Sequence, residues 1–252
     1  MYYQIFILIL SLVICFTIYF VFQKTNLNKY YKLIIGSLAI MIMIVVFRSY
    51  HTEILFYKIT NPKKAKELVV NQAMAELVYH PEIEKYVKGK DSDEVYKDFR
   101  ELFALGRRRF SHSELLEWKR LMLQVFDISD RVCAKVFIGN LKRAKFYEYI
   151  LSLDIKYVQL WVSLMSKAII YEVSYKEYFP PKESRFKSGL IKVIKTFNDE
   201  EEKTVFENTY NTLSISNDKE VCMVAKNLYE RSSHLEKELE EDYLKYLVAK
   251  ND

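Results

Sequence analysis

SHSELLEWKRLMLQVFDISDRVCAKVFIGN, residues 111–140, carries in one stretch the signals that set the fold class. Ser111 and Glu114 stand three apart ahead of an apolar run, the spacing at which each side chain satisfies the other's free backbone amide. Gly139-Asn140 closes the stretch with residue types that accept the left-handed conformation of a helix end. Between them Leu115, Trp118, Met122, Val125, Phe126, Val132, Cys133, Val136 and Phe137 recur at helical spacing and make one broad apolar face. The pattern predicts a single long helix over 111–139. At the margin of that face lie Asp127 and Asp130, one turn apart. They form a candidate polar site, able to bind a cation or pair with arginines. The simpler alternative is a solvent edge, with Asp127 pairing to Arg131 at i,i+4.

Helix punctuation continues on both sides. Asn61-Pro62 reads as an N-cap with proline at the first helical position, opening a helix over 62–79. His80-Pro81 breaks it and starts a short helix ending near Gly89. Asp91 or Ser92 caps the next, which stops at Gly106. Further helices are expected over 141–153, 154–178, 182–197 and 199–213. Asn217 or Asp218 caps a last one running almost to residue 248. Pro180-Pro181 is the firmest break and sets an internal boundary near 179–182 if there are two lobes. Glycine and proline are scarce, and no Asn-Gly or Asp-Gly turn appears, so a β-domain has little support. The expected class is all-α.

The amino-terminal fifth has a different character. IFILILSLVICFTIYFVF (5–22) and LIIGSLAIMIMIVVF (33–47) contain no charged side chain. About 18 apolar residues suffice to cross a bilayer core of about 30 Å as a helix. The second stretch is shorter, but Tyr30, Tyr31, Lys32 and Arg48 flank it as interfacial anchors. The reading is an N-terminal two-helix transmembrane hairpin over 1–48, with spans at about 4–22 and 31–47. A helical soluble domain over 49–252 follows. A secretory signal peptide fits poorly, because Met1-Tyr2-Tyr3-Gln4 has no basic side chain and no Ala-x-Ala pattern follows the core.

Sidedness draws two opposing arguments. The link between the spans holds Lys24, Lys29 and Lys32, which taken alone keep the link inside and send the domain across the membrane. Arg48, Lys58, Lys63, Lys64 and Lys66 follow the second span and pull the domain to the cytoplasm. Residues 48–198 carry 28 Lys and Arg against 19 Asp and Glu, whereas 199–252 carry 7 against 14. A basic membrane-proximal half and an acidic distal end suit the anionic cytoplasmic leaflet, so the domain is expected in the cytoplasm. Only Cys133 and Cys222 lie outside the spans. They make no disulfide framework, though one pair can form.

Motifs that carry chemistry are missing. His51, His80, His112 and His234 are scattered, no Cys-x-x-Cys occurs, and no metal site or cofactor is expected. There is no Gly-x-Ser-x-Gly, no Walker loop and no Gly-x-Gly-x-x-Gly, and with five glycines a phosphate cradle has little material. No catalytic residue is assigned. The nearest enzyme reading has Asp127 and Asp130 ligating a metal that acts on lipid or phosphate substrates. Arg107, Arg108 and Arg109, with Lys63, Lys64 and Lys66, form a candidate basic patch for lipid headgroups. Nucleic acid is disfavoured, since beyond residue 47 the chain has 35 basic against 33 acidic residues. Tyr157, Trp161, Tyr171, Tyr175 and Tyr178 crowd one stretch and make a candidate partner surface, although such stripes more often belong to cores.

In layout, residues 121–161 resemble a loose group of small bacterial membrane proteins of unknown function: an apolar helix with a central acid, a short turn, then a helix bearing a Trp. The likeness implies no catalytic residue. The expected function is therefore a non-enzymatic, membrane-anchored interaction or scaffold protein of a bacterial inner membrane. It serves as an accessory subunit of a membrane-associated complex, with the lipid bilayer and a protein as partners. Gly36, Ser37 and Ala39 form a small-residue patch compatible with homo-oligomers. The alternative is a membrane effector or immunity protein in a bacterial defence or toxin system.

Overall fold

A computed structural model describes residues 57–58, 60–178 and 180–250, and every regular element among them is helical. The two apolar stretches expected to span the membrane lie outside the described residues. No helix among the described residues is long and apolar enough to cross a membrane. The chain divides into two compact units, 1–69 and 70–252.

The described part of the first unit comprises residues 57–58 and 60–61 and the start of α1 (Pro62–Val78). Asn61 caps it as expected, its Oδ1 accepting from the Lys64 amide at 3.1 Å.

In the second unit, α2 (Pro81–Val87) follows the His80-Pro81 break, and α3 (Ser92–Gly106) opens on a reciprocal capping box between Asp91 and Glu94. A 3-10 turn, Arg107–Arg109, leads to α4 (His112–Phe126), where the Ser111–Glu114 box is formed. Next come α5 (Asp130–Ile138), α6 (Arg143–Ser152), α7 (Ile155–Val173), α8 (Glu183–Ile194), α9 (Glu200–Asn211) and α10 (Asp218–Glu230). After a second 3-10 turn, Arg231–His234, the last helix is α11 (Lys237–Lys250).

Two expected helices are each broken in two. The one predicted over 111–139 stops at Phe126, because Ser129 turns extended (φ −172°) and its hydroxyl accepts from the Val132 amide at 3.2 Å. A serine followed by an aspartate in the first turn is a helix start, and here it prevails over continuation. Gly139 ends α5 at φ +80°, with the Asn140 amide reaching back to the Lys135 carbonyl. The helix predicted from 217 to about 248 breaks over Arg231–His234. There the Ser232 and Ser233 hydroxyls donate to the Tyr229 and Glu230 carbonyls at 2.8 and 2.7 Å, competing with the helical ladder.

Both breaks have a packing consequence. α10 lies along α5 and also meets α4 and α9, while α11 packs on α8 and α4. One straight helix could not serve both sets of neighbours. The apolar face read from residues 111–140 survives its break, since all nine of its residues are buried. Phe126 meets Tyr229 of α10 edge to face at 5.5 Å, and Phe186 of α8 stacks on Tyr243 and Tyr246 of α11 at 5.0 and 4.1 Å. α3 and α7 approach closely at Gly106, where a Cβ would sit 1.9 Å from the Ala168 carbonyl oxygen.

Candidate functional site

A cluster of polar side chains lies where the first turns of α4 meet α7 and α11. The capping box turns Glu114 inward. Its Oε2 accepts from the Ser111 amide and hydroxyl, both at 2.9 Å, and its Oε1 accepts from the Tyr171 hydroxyl at 2.7 Å. Lys167 Nζ stands 3.3 Å from the same Oε1. Glu114 is 5 % exposed. Burial pushes its carboxyl up, but the hydrogen bonds from Tyr171 and Ser111 and the Lys167 charge outweigh this and hold it below the usual range. The same bond, with burial as the larger cause, pushes the Tyr171 phenol up to about 12.

One residue along, His112 points to α11. Its Nε2 lies 3.1 Å from Glu240 Oε2, and Lys119 Nζ lies 3.2 Å from Oε1. Lys119 also donates to the buried Ser232 hydroxyl at 2.9 Å, which stands 3.1 Å from Glu240 Oε1. On the other flank Arg109 Nε donates to Glu172 Oε2 at 2.6 Å and its Nη1 to the Lys176 carbonyl. Each carboxylate thus meets a cation, and the seam joins three helices distant in sequence.

Chemically this arrangement positions helices. The Ser232 hydroxyl is engaged by a backbone carbonyl, a lysine and a carboxylate. A cleft of about 440 Å³ bounded by Glu82, Lys85, Tyr86, Leu102, Glu172, Val173 and Tyr175 shares only Glu172 with the seam. Among the described residues no group of three or more His, Cys, Asp and Glu side chains could hold a metal ion.

The residues singled out from sequence fall in different settings. Asp127 is exposed as the C-cap of α4 and pairs with Lys226 of α10 at 2.6 Å, while Asp130 begins α5. The break at Ser129 separates them, so they do not share one helical edge as expected. Lys63 and Lys64 are exposed on α1 and Lys66 is half-buried. Arg107, Arg108 and Arg109 are all half-buried, and the Arg107 guanidinium lies about 5 Å from the Phe103 and Trp118 ring centres. Trp161 is a core residue against Tyr147 at 5.7 Å. Tyr157 is half-buried, Tyr171 turns to Glu114, and Tyr178 lies 5.8 Å from the Arg109 guanidinium. Tyr175 alone stands out, 89 % exposed in a left-handed backbone conformation at φ 51°.

Sequence reasoning found Ser111 and Glu114 but not Lys119, Lys167, Ser232 or Glu240, and it set His112 aside as one of four scattered histidines. The capping-box signal is local, whereas these contacts join residues 53 to 128 positions apart.

Comparison with protein-family models, curated proteins and solved structures finds no match to this chain. The class defined by fold and cluster is an all-α domain whose central polar residues fasten helices to one another.

Proposed function

We propose that the chain is a non-enzymatic, membrane-anchored helical interaction protein of a bacterial inner membrane, an accessory or scaffold subunit holding a protein partner beside the bilayer. The observation that carries this reading is the pair of charge-free stretches at 5–22 and 33–47 ahead of a helical domain. Two features of the domain support it. The polar side chains gathered at α4 are engaged with one another, which suits a rigid platform. Tyr175 presents its ring to solvent from a backbone conformation that a tyrosine rarely adopts, and such strain collects at functional positions. Partner contact through Tyr175 gives that conformation a use.

The test is a photo-crosslinking residue placed at position 175 of the full-length chain in native membranes, with position 96 as the exposed control. A discrete adduct specific to position 175 supports the reading. Adducts equal at both positions, or none, contradict it.

A further inference from the structure

We infer that the helical domain folds on the oxidising side of the membrane, with Cys133 and Cys222 joined as a permanent disulfide. This rests on the membrane-anchored reading and reverses the cytoplasmic placement expected from total loop charge.

The bridge joins α5 to α10 across 89 positions, with the two Cα atoms 5.3 Å apart. That separation lies within the range a disulfide spans without backbone movement. Both cysteines are buried, 0 % and 2 % exposed, on helices whose Val132, Val136, Val221 and Ala225 are buried as well. A redox-sensing pair needs a sulfur that solvent thiols can reach. Cys133 and Cys222 offer none in the folded domain, so their bridge is structural, and structural disulfides persist in oxidising compartments.

The chemistry sets when the bridge forms. One cysteine thiolate attacks a sulfur of an oxidised thiol–disulfide oxidoreductase, giving a mixed disulfide and releasing one oxidant thiol. The second cysteine thiolate then displaces the other. Two protein thiols are oxidised and one oxidant disulfide is reduced to two thiols. The exchange precedes the closing of α5 on α10, because afterwards the sulfurs are covered. It therefore belongs to the compartment in which the domain folds.

The charge of the inter-span link agrees. Lys24, Lys29 and Lys32 stand between the two apolar stretches, and taken alone they retain that link inside and carry the domain outward. The basic residues just beyond the second span argue the other way, and the buried bridge between α5 and α10 is what favours the outward placement.

The experiment uses the unaltered full-length chain in growing cells. Acid quenching is followed by denaturation and tagging of free thiols with a polymer maleimide, with and without prior reduction. One tag before reduction, on Cys15, and three after it are expected. In parallel, protease added outside intact spheroplasts should digest the domain. Three tags without reduction, or a domain protected from outside protease, overturns the inference. Carbonate extraction of the same membranes separates the two failures. A chain that leaves the bilayer contradicts the anchored reading, while the thiol count still decides the compartment.

Discussion

Tyr171 of α7 donates its phenolic hydrogen to Glu114 of α4 at 2.7 Å, inside a contact where the carboxylate is almost fully covered. Hydrogen bonds to a charged group contribute about 1.5–3 kcal/mol. Tyr171→Phe is expected to lower unfolding stability by about that amount in urea titrations. A double-mutant cycle with Glu114→Gln should show coupling, because the two changes remove one bond.

The same pair contributes to the pH dependence. Glu114 is held below its ordinary value of 4.5 in the folded state. Its stabilisation is present above the unfolded-state value and is lost as pH falls through the folded one. Tyr171 is raised from 10.0 to about 12, so its stabilisation is complete below pH 10 and disappears as pH rises toward 12. Tyr229, also raised to about 12 by burial, acts in the same direction. Urea midpoints should therefore fall at both extremes. Tyr171→Phe should flatten part of the alkaline limb, and Tyr171→Phe with Tyr229→Phe more of it. An unchanged alkaline limb in the double variant would contradict the assignment.

Gly106→Ala tests the approach of α3 to α7. Alanine stabilises a helix interior by up to about 1 kcal/mol over glycine, and Gly106, the last residue of α3, would gain less than that. Here the new Cβ would meet the Ala168 backbone at 1.9 Å, and backbone gives way poorly. A net loss on the order of 1–3 kcal/mol is expected. Gly189→Ala should be milder, since the atom in its way belongs to the Tyr243 ring at 2.7 Å. Calorimetric melting of both variants checks the order.

Tyr175→Gly should act in the opposite direction. An L-residue in the left-handed region costs about 1–2 kcal/mol, and glycine relieves this while adding some unfolded-state entropy. A gain of about 0.5–1 kcal/mol in stability is expected, together with loss of crosslinks from neighbouring positions to the partner. A gain in stability with partner contact intact would remove Tyr175 from the proposed surface.

Opening the Cys133–Cys222 bridge should lower stability by about 3–5 kcal/mol, because a loop of 89 positions then regains its freedom in the unfolded chain. Cys133→Ala with Cys222→Ala, compared with the native domain with and without reductant, measures this loss.

The sequence disclosed most helices, because caps and stops are local signals. Asn61, Asp91, Ser111, Asn217 and Gly139 act where their residue types predict. It did not disclose the breaks at Ser129 and Ser232, where helical periodicity runs on and tertiary packing decides which serine becomes a cap or a turn. The polar cluster was half legible. Glu114 belongs to a motif, but Glu240, Lys119 and Lys167 look like ordinary surface charges until the fold covers them. Trp161 misled for a related reason, since a tryptophan on an aromatic-rich helix reads the same whether it faces a core or a partner.

Lipid is the proposed solvent of the first 48 residues, and flotation of the full-length chain with carbonate-washed membranes tests this placement. The chain is expected to rise with the bilayer and to leave it only in detergent. A chain that stays in the aqueous layer as a single monodisperse species would contradict it.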